Sequence, residues 1–287
     1  MATPTTAVTC PICSCDAYRV LRMETVAEYS IMRCAHCGLV FSAPRPNAEE
    51  LDHFYGSEYF QRSHSSGYGY ADYSSSADSN AHRMWKPFLN YIGLPAQPTL
   101  RLLDVGCGTG GFLVEAKTAG WNGTGVELSQ YAVDVACKEL GLQVFRSDIF
   151  ASNLKPGSFD VVTMWHVLEH LIDPLESLRR AHELLTDNGV LFVELPNWDS
   201  AGRLFKGAHW KQLKPPEHIN FFNTASITFA AQQAGFTVQR CSTHYPSLAD
   251  QAAVKRPTRP YHLAVGFAAS LASAIGRGGY LRLFARR

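Results

Sequence analysis

Leu100-Arg101-Leu102-Leu103-Asp104-Val105-Gly106-Cys107-Gly108-Thr109-Gly110-Gly111 decides how the rest of the chain reads. Its apolar opening is too short for a helix, glycines follow at alternate positions, and Phe112 to Lys117 continues with helical character. Such a run predicts a strand, a tight turn and a helix. Glycines in the turn permit positive φ and a close approach of backbone to ligand, and the helix start behind them presents N–H groups without partners. A nucleotide-like cofactor is the expected occupant.

Gly106, Gly108 and Gly111 also satisfy G-x-G-x-x-G, which by itself is weak evidence for any one cofactor. Three carboxylates narrow the choice. Asp104 closes the first strand, where it can meet a cationic ligand group. Glu127 ends the next apolar run, Gly123 to Val126, about 20 residues on, where a carboxylate accepts from two ribose hydroxyls. Asp148, in Arg146-Ser147-Asp148-Ile149-Phe150, ends a third strand and can accept from an adenine amino group. A nicotinamide enzyme has much less need of the first and third.

On these motifs the chain resembles the class I S-adenosylmethionine-dependent methyltransferases. The resemblance covers roughly Leu100 to Phe236 and rests on a series in the right order: DVGCGTG, GVELS, SDI, FDVVTMWHVLEHL and LLTDNGVLFVELPN. It implies a doubly wound, mainly parallel α/β sheet of seven strands, a Rossmann-like methyltransferase fold. It also implies S-adenosylmethionine as cofactor, with Asp104 near the methionine ammonium, Gly106, Gly108 and Gly110 allowing close approach, Glu127 on the ribose, Asp148 on adenine, Trp165 at the methyl end, and Leu128 and Ile149 as further cofactor-binding positions. Strands and helices that alternate from residue 100 onward fit this: strand at Gly123 to Leu128, helix at Tyr131 to Leu140, strand at Gln143 to Arg146, buried strand at Val161 to Trp165, helix at Pro174 to Leu185, strand at Gly189 to Leu195.

The chain has 287 residues, 46% of them hydrophobic, and a net charge of +1, so a large core is available and no global field advertises a polyanion. No apolar run approaches a membrane span and no charged-then-hydrophobic leader opens the sequence, so a soluble, cytoplasmic protein is expected. Cys10-Pro11-Ile12-Cys13 and Cys34-Ala35-His36-Cys37 form two C-x-x-C knuckles 20 residues apart. Four thiolates suit one tetrahedral structural Zn²⁺, and a redox pair is the competing reading. Cys15 can replace Cys13 or stay free, and short strands are expected at Tyr18 to Leu21 and Tyr29 to Arg33. The expected organisation is a zinc-ribbon-like module over 1–45, an aromatic and Ser/Gly-rich lid with a leading helix over 46–98, and the methyltransferase domain over 99–287. In the middle segment Tyr68, Tyr70 and Tyr73 suggest a lid over the site, with a solvated linker as the equal alternative. From Asn80 to Leu94 the pattern is helical, with Trp85, Phe88, Leu89 and Ile92 on one face.

Methyl transfer from a sulfonium is an in-line displacement, so the site chiefly aligns the acceptor and excludes water; a base is needed only for a hydroxyl or a weakly acidic carbon. The candidate reacting end is His166, Glu169 and His170, one face of the segment if it is helical, together with His218 from the polar run Trp210 to Phe222 folding back over the same mouth. In one reading His170 or His218 is a base or substrate orienter, as in small-molecule methyltransferases that share the EH…P and P-x-H elements. In another, His166, Glu169, His170 and His218 hold a second divalent metal, Fe, Mn or Zn by ligand type. That set is similar to the one in small-RNA 2′-O-methyltransferases, which carry Glu where this chain has His166. In a third the histidines only bond carbonyls and shape the pocket.

Thr224 is the expected cap of a helix ending at Gly235, followed by a strand from Phe236 to Cys241, a helix from Leu263 to Ile275 and a strand from Tyr280 to Ala285 that the resemblance inserts antiparallel into the sheet. The basic tail, Lys255 to Arg287, reads as a solvated rim or a phosphate-binding patch. A small-molecule methyl acceptor, a sugar, quinone or natural-product intermediate, is the expected partner. The rivals are an RNA methyltransferase, by resemblance to zinc-module ribosomal RNA guanine methyltransferases, and a non-methylating enzyme on the same fold. Nucleic acid is disfavoured because basic residues gather only in the tail.

Overall fold

The computed structural model describes residues 8–21, 28–46, 50, 73–93, 99–151, 153–245 and 259–287. In chain order these form β1 (Tyr18–Leu21), β2 (Ser30–Cys34), β3 (Val40–Ala43), α1 (Tyr73–Ile92), β4 (Arg101–Val105), α2 (Gly111–Thr118), β5 (Asn122–Glu127) and α3 (Gln130–Asp134) with a π-helical continuation over Val135–Glu139. Then come β6 (Gln143–Arg146), β7 (Phe159–Trp165), α4 (Pro174–Leu184), β8 (Leu185–Pro196), α5 (Ala201–Lys206), β9 (Asn220–Phe221), α6 (Thr224–Gln233), β10 (Thr237–His244), α7 (Arg259–Ala274) and β11 (Tyr280–Arg286). Of the segment 46–98 in which a lid is expected, only residues 46, 50 and 73–93 are described, and Lys255 and Arg256 of the basic tail lie outside the described residues.

Seven strands make one sheet in the order β10-β11-β8-β7-β4-β5-β6. β6, β5, β4, β7 and β8 run parallel, and β11 pairs antiparallel with both β8 and β10. This is the doubly wound sheet the alternating pattern predicts, with the inserted antiparallel strand in place. Both faces are covered, which is why its strands read as continuous apolar runs. Leu102, Val161, Val190 and Phe192 point to α1, α2 and α3, where Trp85, Phe88, Phe112 and Trp121 cluster. Leu103, Val105, Val162, Met164 and Leu191 point the other way, to Leu178, Ala181 and Leu184 of α4 and Ile227, Ala230 and Ala231 of α6.

A second sheet of four strands runs β1-β2-β3-β9. Its first three strands belong to the cysteine-bearing N-terminal segment, but the fourth comes from Asn220–Phe221, paired as Val40 to Phe221 and Phe41 to Asn220. The sheet begun before residue 45 is therefore completed from the middle of the methyltransferase segment. Ile31 and Val40 share a small core with Trp198, Trp210, Leu213 and Phe221.

Several local expectations shift. β8 begins at Leu185, directly after α4, rather than at Gly189. The cap of α6 is Asn223 and not Thr224: its side chain accepts from the Ser226 N–H at 2.9 Å while the Ser226 hydroxyl accepts from the Asn223 N–H at 3.0 Å, a reciprocal box that leaves Thr224 as the first helical residue. Cys15 stays out of the cysteine cluster, its thiol facing the Ala17 carbonyl.

Candidate functional site

β4 delivers Asp104 and then the glycine turn to the carboxyl edge of the sheet, where ligands bind in open α/β sheets. Gly106, Gly108 and Gly110 all take positive φ, +65°, +55° and +88°. A Cβ on Gly106 would stand 2.7 Å from Val167 Cγ2, so the loop that carries His166, Glu169 and His170 packs directly on the turn. Asp104 is buried, 3% exposed, and accepts from the Thr163 hydroxyl at 2.6 Å. Burial pushes its carboxyl up to about 7, against the pull of that hydroxyl.

Glu127 closes β5 beside the turn. One oxygen accepts from the Gly108 N–H at 3.0 Å and the other from the Ser129 N–H at 2.9 Å. Burial raises its pKa, with the N–H groups working the other way. Leu128 next to it is 43% exposed and Ile149, past β6, is buried. Asp148 is exposed and caps its own turn through the Phe150 N–H. The structure thus brings Asp104, the three glycines and Glu127 together and sets Leu128, Asp148 and Ile149 at the neighbouring strand ends. Trp165, at the end of β7, packs its ring on Phe192 at 4.6 Å and Phe112 at 5.0 Å, and its buried indole N–H has no hydrogen-bond partner among the described residues. Backbone free of side chains, a carboxylate at ribose height and an apolar wall fit an adenosyl group.

After Trp165 the chain does not continue as a helix. His166 adopts φ +55°, and Leu168 to His170 form a turn. This left-handed residue is uncommon outside glycine and splits the expected histidine set in two. His166 Nε2 faces Glu194 at 3.7 Å, with its Nδ1 3.4 Å from Glu169, and the half-buried ring lies edge-on to Tyr280. Burial would lower its pKa, but Glu169 and Glu194 outweigh that and hold it up at about 10. Glu194 in turn receives Arg282 Nε at 2.6 Å and stands 3.6 Å from His244. Burial raises the Glu194 carboxyl, yet His166, Arg282 and His244 bring it down to about 2. His244 is lowered to about 4 by burial.

The other half of the set is assembled from two loops. Ile219 and Asn220 both donate backbone N–H groups to the Glu169 carbonyl, at 2.8 and 3.0 Å, and the Asn220 amide donates to the Leu168 and Leu171 carbonyls. Arg45, just past β3, bonds Asn220 and the carbonyls of Leu171 and Ile172. His218 is thereby set edge-on to His170, ring centres 4.6 Å apart. Ligand atoms of Glu169, His170 and His218 lie within 4.8 Å of one another, and His166 is not among them. Burial lowers the pKa of both His170 and His218.

Glu194 and His244 are not among the residues the sequence reading singled out, and Arg282 appears there only as part of the basic tail, whereas the structure turns it inward onto Glu194 instead of leaving it on a solvated rim. Glu194 stands in the motif LFVELPN as a charged residue in an otherwise apolar strand, which a fully covered sheet makes costly without partners. Its partners lie on β10 and β11, far along the chain.

In the N-terminal segment Cys10, Cys13, Cys34 and Cys37 bring their four sulfur atoms within 4.8 Å of one another, Cys10 to Cys37 at 3.4 Å and Cys13 to Cys34 at 3.5 Å. No disulfide links any of them among the described residues. Four converging thiols with backbone turns at both knuckles fit a tetrahedral Zn²⁺.

The methyltransferase domain family profile matches residues 77–240. The ubiquinone biosynthesis O-methyltransferase of Ralstonia nicotianae is 32% identical over 221 residues, 63% of this chain and 92% of that protein. The protein of the same name from Methylococcus capsulatus is 36% identical over 140 residues, 42% of this chain and 59% of that protein. Among solved structures, an S-adenosylmethionine-dependent methyltransferase from Mesorhizobium loti superposes with a TM-score of 0.54 at 22% identity, covering 74% of this chain and 100% of that one, a likeness of fold.

Proposed function

Because the chain belongs to the class I S-adenosylmethionine-dependent methyltransferases, we propose that it moves the methyl group to an oxygen of a small hydroxylated metabolite, with the adenosyl end on the glycine turn and the acceptor at the His166 to His218 mouth. The observation that carries this reading is the contact of the two halves: Val167 of the histidine loop sits against Gly106 of the cofactor turn, so a group held by one is delivered to the other. Support for oxygen as the attacking atom comes from the relatives, which are named O-methyltransferases.

S-adenosylmethionine supplies an electrophilic methyl on a cationic sulfur. Asp104 binds and orients the methionine ammonium, Glu127 the ribose hydroxyls and Asp148 the adenine edge, with Leu128 and Ile149 as its apolar walls. Trp165 and the aromatic cluster beneath it exclude water, which favours alignment over hydrolysis. His166 is held as an imidazolium between Glu169 and Glu194, so it orients a developing oxyanion rather than removing a proton. Removal of the proton falls to the neutral pair His170 and His218; Glu169, His170 and His218, without His166, are the residues that would hold a divalent ion, which would supply only a more acidic acceptor hydroxyl. Zinc at Cys10, Cys13, Cys34 and Cys37 has four protein donors and therefore a structural role.

Titration of S-adenosylmethionine by calorimetry tests the cofactor assignment. Glu127→Ala removes charge-assisted hydrogen bonds, each worth about 1.5–3 kcal/mol, and is expected to weaken binding at least about 10-fold. Affinity equal to that of the parent protein would contradict it.

A further inference from the structure

We infer that Arg33, Arg203 and Arg277, with the indole N–H of Trp198, form a subsite for a phosphate or diphosphate group carried by the methyl acceptor. The inference deepens the methyltransferase reading and rests on it for the hydroxyl that such a molecule presents at the acceptor mouth. Three observations carry the anion.

First, three cations gather around one carboxylate. Arg33 comes from β2, Arg203 from α5 and Arg277 from the segment before β11, so only the last belongs to the basic tail. Arg33 Nη2 stands 4.0 Å from Asp199 Oδ1, and Arg277 Nη1 donates to the Asp199 carbonyl at 3.0 Å. The Arg203 guanidinium lies over the Trp198 ring, 4.3 Å from its centre. Burial lowers the Arg203 pKa most; Asp199 opposes this, and the like charges of Arg33 and Arg277 lower it further, which marks the three guanidiniums as neighbours. Among the described residues Asp199 is the one carboxylate paired with any of them, and its second oxygen is already taken by the Asn223 amide at 3.0 Å. The surplus positive charge matches a phosphate dianion.

Second, buried donors there lack acceptors. Arg33 Nε, Arg203 Nε and Trp198 Nε1 are each shielded from solvent and have no hydrogen-bond partner among the described residues. Trp198 as a whole is 1% exposed, so its N–H has no route to water. Unpaired buried N–H groups are costly, and the oxygens of one anion satisfy several of them at once.

Third, the cluster stands beside the acceptor mouth. The loop bearing Trp198 and Asp199 follows β8 at the carboxyl edge of the sheet, where ligands bind in this architecture. Arg277 is three residues before Tyr280, at most about 11 Å of backbone, and the Tyr280 ring lies 5.2 Å from that of His166. The Asn197 N–H donates to the Gly279 carbonyl and the Ala201 N–H to the Arg277 carbonyl, both at 2.9 Å, so the two segments are fixed to one another before any ligand arrives. The Arg33 and Asp199 side chains stay 36% and 34% exposed, which leaves a way in. A phosphorylated metabolite spans the distance from the arginines to His166.

Pyrophosphate is the probe, titrated by calorimetry into the full chain with S-adenosylmethionine present. The parent is expected to bind it. Arg33→Gln and Arg203→Gln are each expected to weaken that binding at least about 10-fold, the loss of a charge-assisted hydrogen bond, while S-adenosylmethionine affinity stays within about 3-fold and reports that the variants fold. Asp199→Asn removes the like charge facing the anion and is expected to tighten pyrophosphate about 3-fold, a gain that general damage does not produce. The acceptor is then tested by its phosphorus. Methyl-labelled S-adenosylmethionine and the parent protein are added to a small-molecule cell extract, either untreated or stripped of phosphate esters by phosphomonoesterase and phosphodiesterase and filtered free of both. Label transfer is expected to fall at least about 10-fold on stripping, since binding of a remote group is spent at the reacting centre. A parent that does not bind pyrophosphate, or arginine variants that bind it as the parent does, overturns the subsite; equal labelling of the two extracts overturns its assignment to the acceptor. An RNA that displaces pyrophosphate and takes up the label overturns a metabolite as its bearer. Binding of pyrophosphate without S-adenosylmethionine binding sinks the methyltransferase reading and leaves the anion site, whereas the reverse result sinks the anion site alone.

Discussion

In the proposed cofactor site, Asp104 is the sealed side chain that couples binding to acidity. Its carboxyl, raised to about 7 by burial, is largely neutral in the empty protein just below that pH. A cationic ligand beside it favours the ionised form, so binding expels a proton and affinity is expected to fall as pH drops below about 7, by up to about 10-fold per unit. Calorimetry in buffers of different ionisation heat would register that proton, and Asp104→Asn should abolish both it and the pH dependence. The stability sign is the reverse. A carboxyl raised in the folded state contributes stability that is present below its unfolded value near 3.8 and lost as pH rises through about 7. Hence the cofactor should lift the melting temperature more at pH 8 than at pH 6.

Some residues were legible from spacing and others were not. Asp104, Glu127 and the glycines declare themselves because a strand end and a turn are local facts. His166 does not: its identity places it beside Glu169 and His170, but the positive φ at that one position turns it toward Glu194. Nothing in the neighbouring letters announces that choice, since Glu194, His244 and Arg282 come from three separate strands.

Among the elements, the core strands and helices followed from periodicity, with ends shifted where capping chemistry intervened. α6 is the clearest case. Asn223 satisfies the first-turn N–H of Ser226 and also donates its amide to Asp199 at 3.0 Å, anchoring the helix to the loop after β8. Asn223→Ala is expected to cost about 1 kcal/mol, read as a lower denaturant midpoint at unchanged slope. Thr224→Ala, by contrast, should be close to neutral, since that hydroxyl does not hold the cap. β9 was invisible to the sequence reading for a different reason. At two residues it has no period to detect, and it exists only because β3 offers an edge to pair with.

For the molecule as a whole, the cysteine-bearing sheet and the proposed acceptor mouth are joined by backbone. β3 pairs with β9, β9 starts two residues after His218, and Arg45 bonds the loop that bears His170. Loss of the proposed zinc should therefore be felt about the acceptor site rather than at the cofactor turn, which belongs to β4 and β5. Cys34→Ser is expected to lower the melting temperature by more than about 5 °C, since structural zinc contributes folding energy outright. S-adenosylmethionine affinity should remain within about 3-fold while methyl transfer falls more than about 10-fold, a split set by the distance of the module from each half-site. Equal losses in both would break this link. Among the described residues no helix is long and apolar enough to cross a membrane.

β11 slots between β8 and β10, although residues 280–286 are synthesised after both of them. As the ribosome delivers the preceding strands, β8 presents a raw edge of backbone donors and acceptors with a correspondingly adhesive apolar face. The nascent chain must be kept from sticking to its neighbours until that slot is filled, so a stall in translation ahead of residue 280 is expected to yield chaperone-bound or aggregated product rather than a smaller working enzyme.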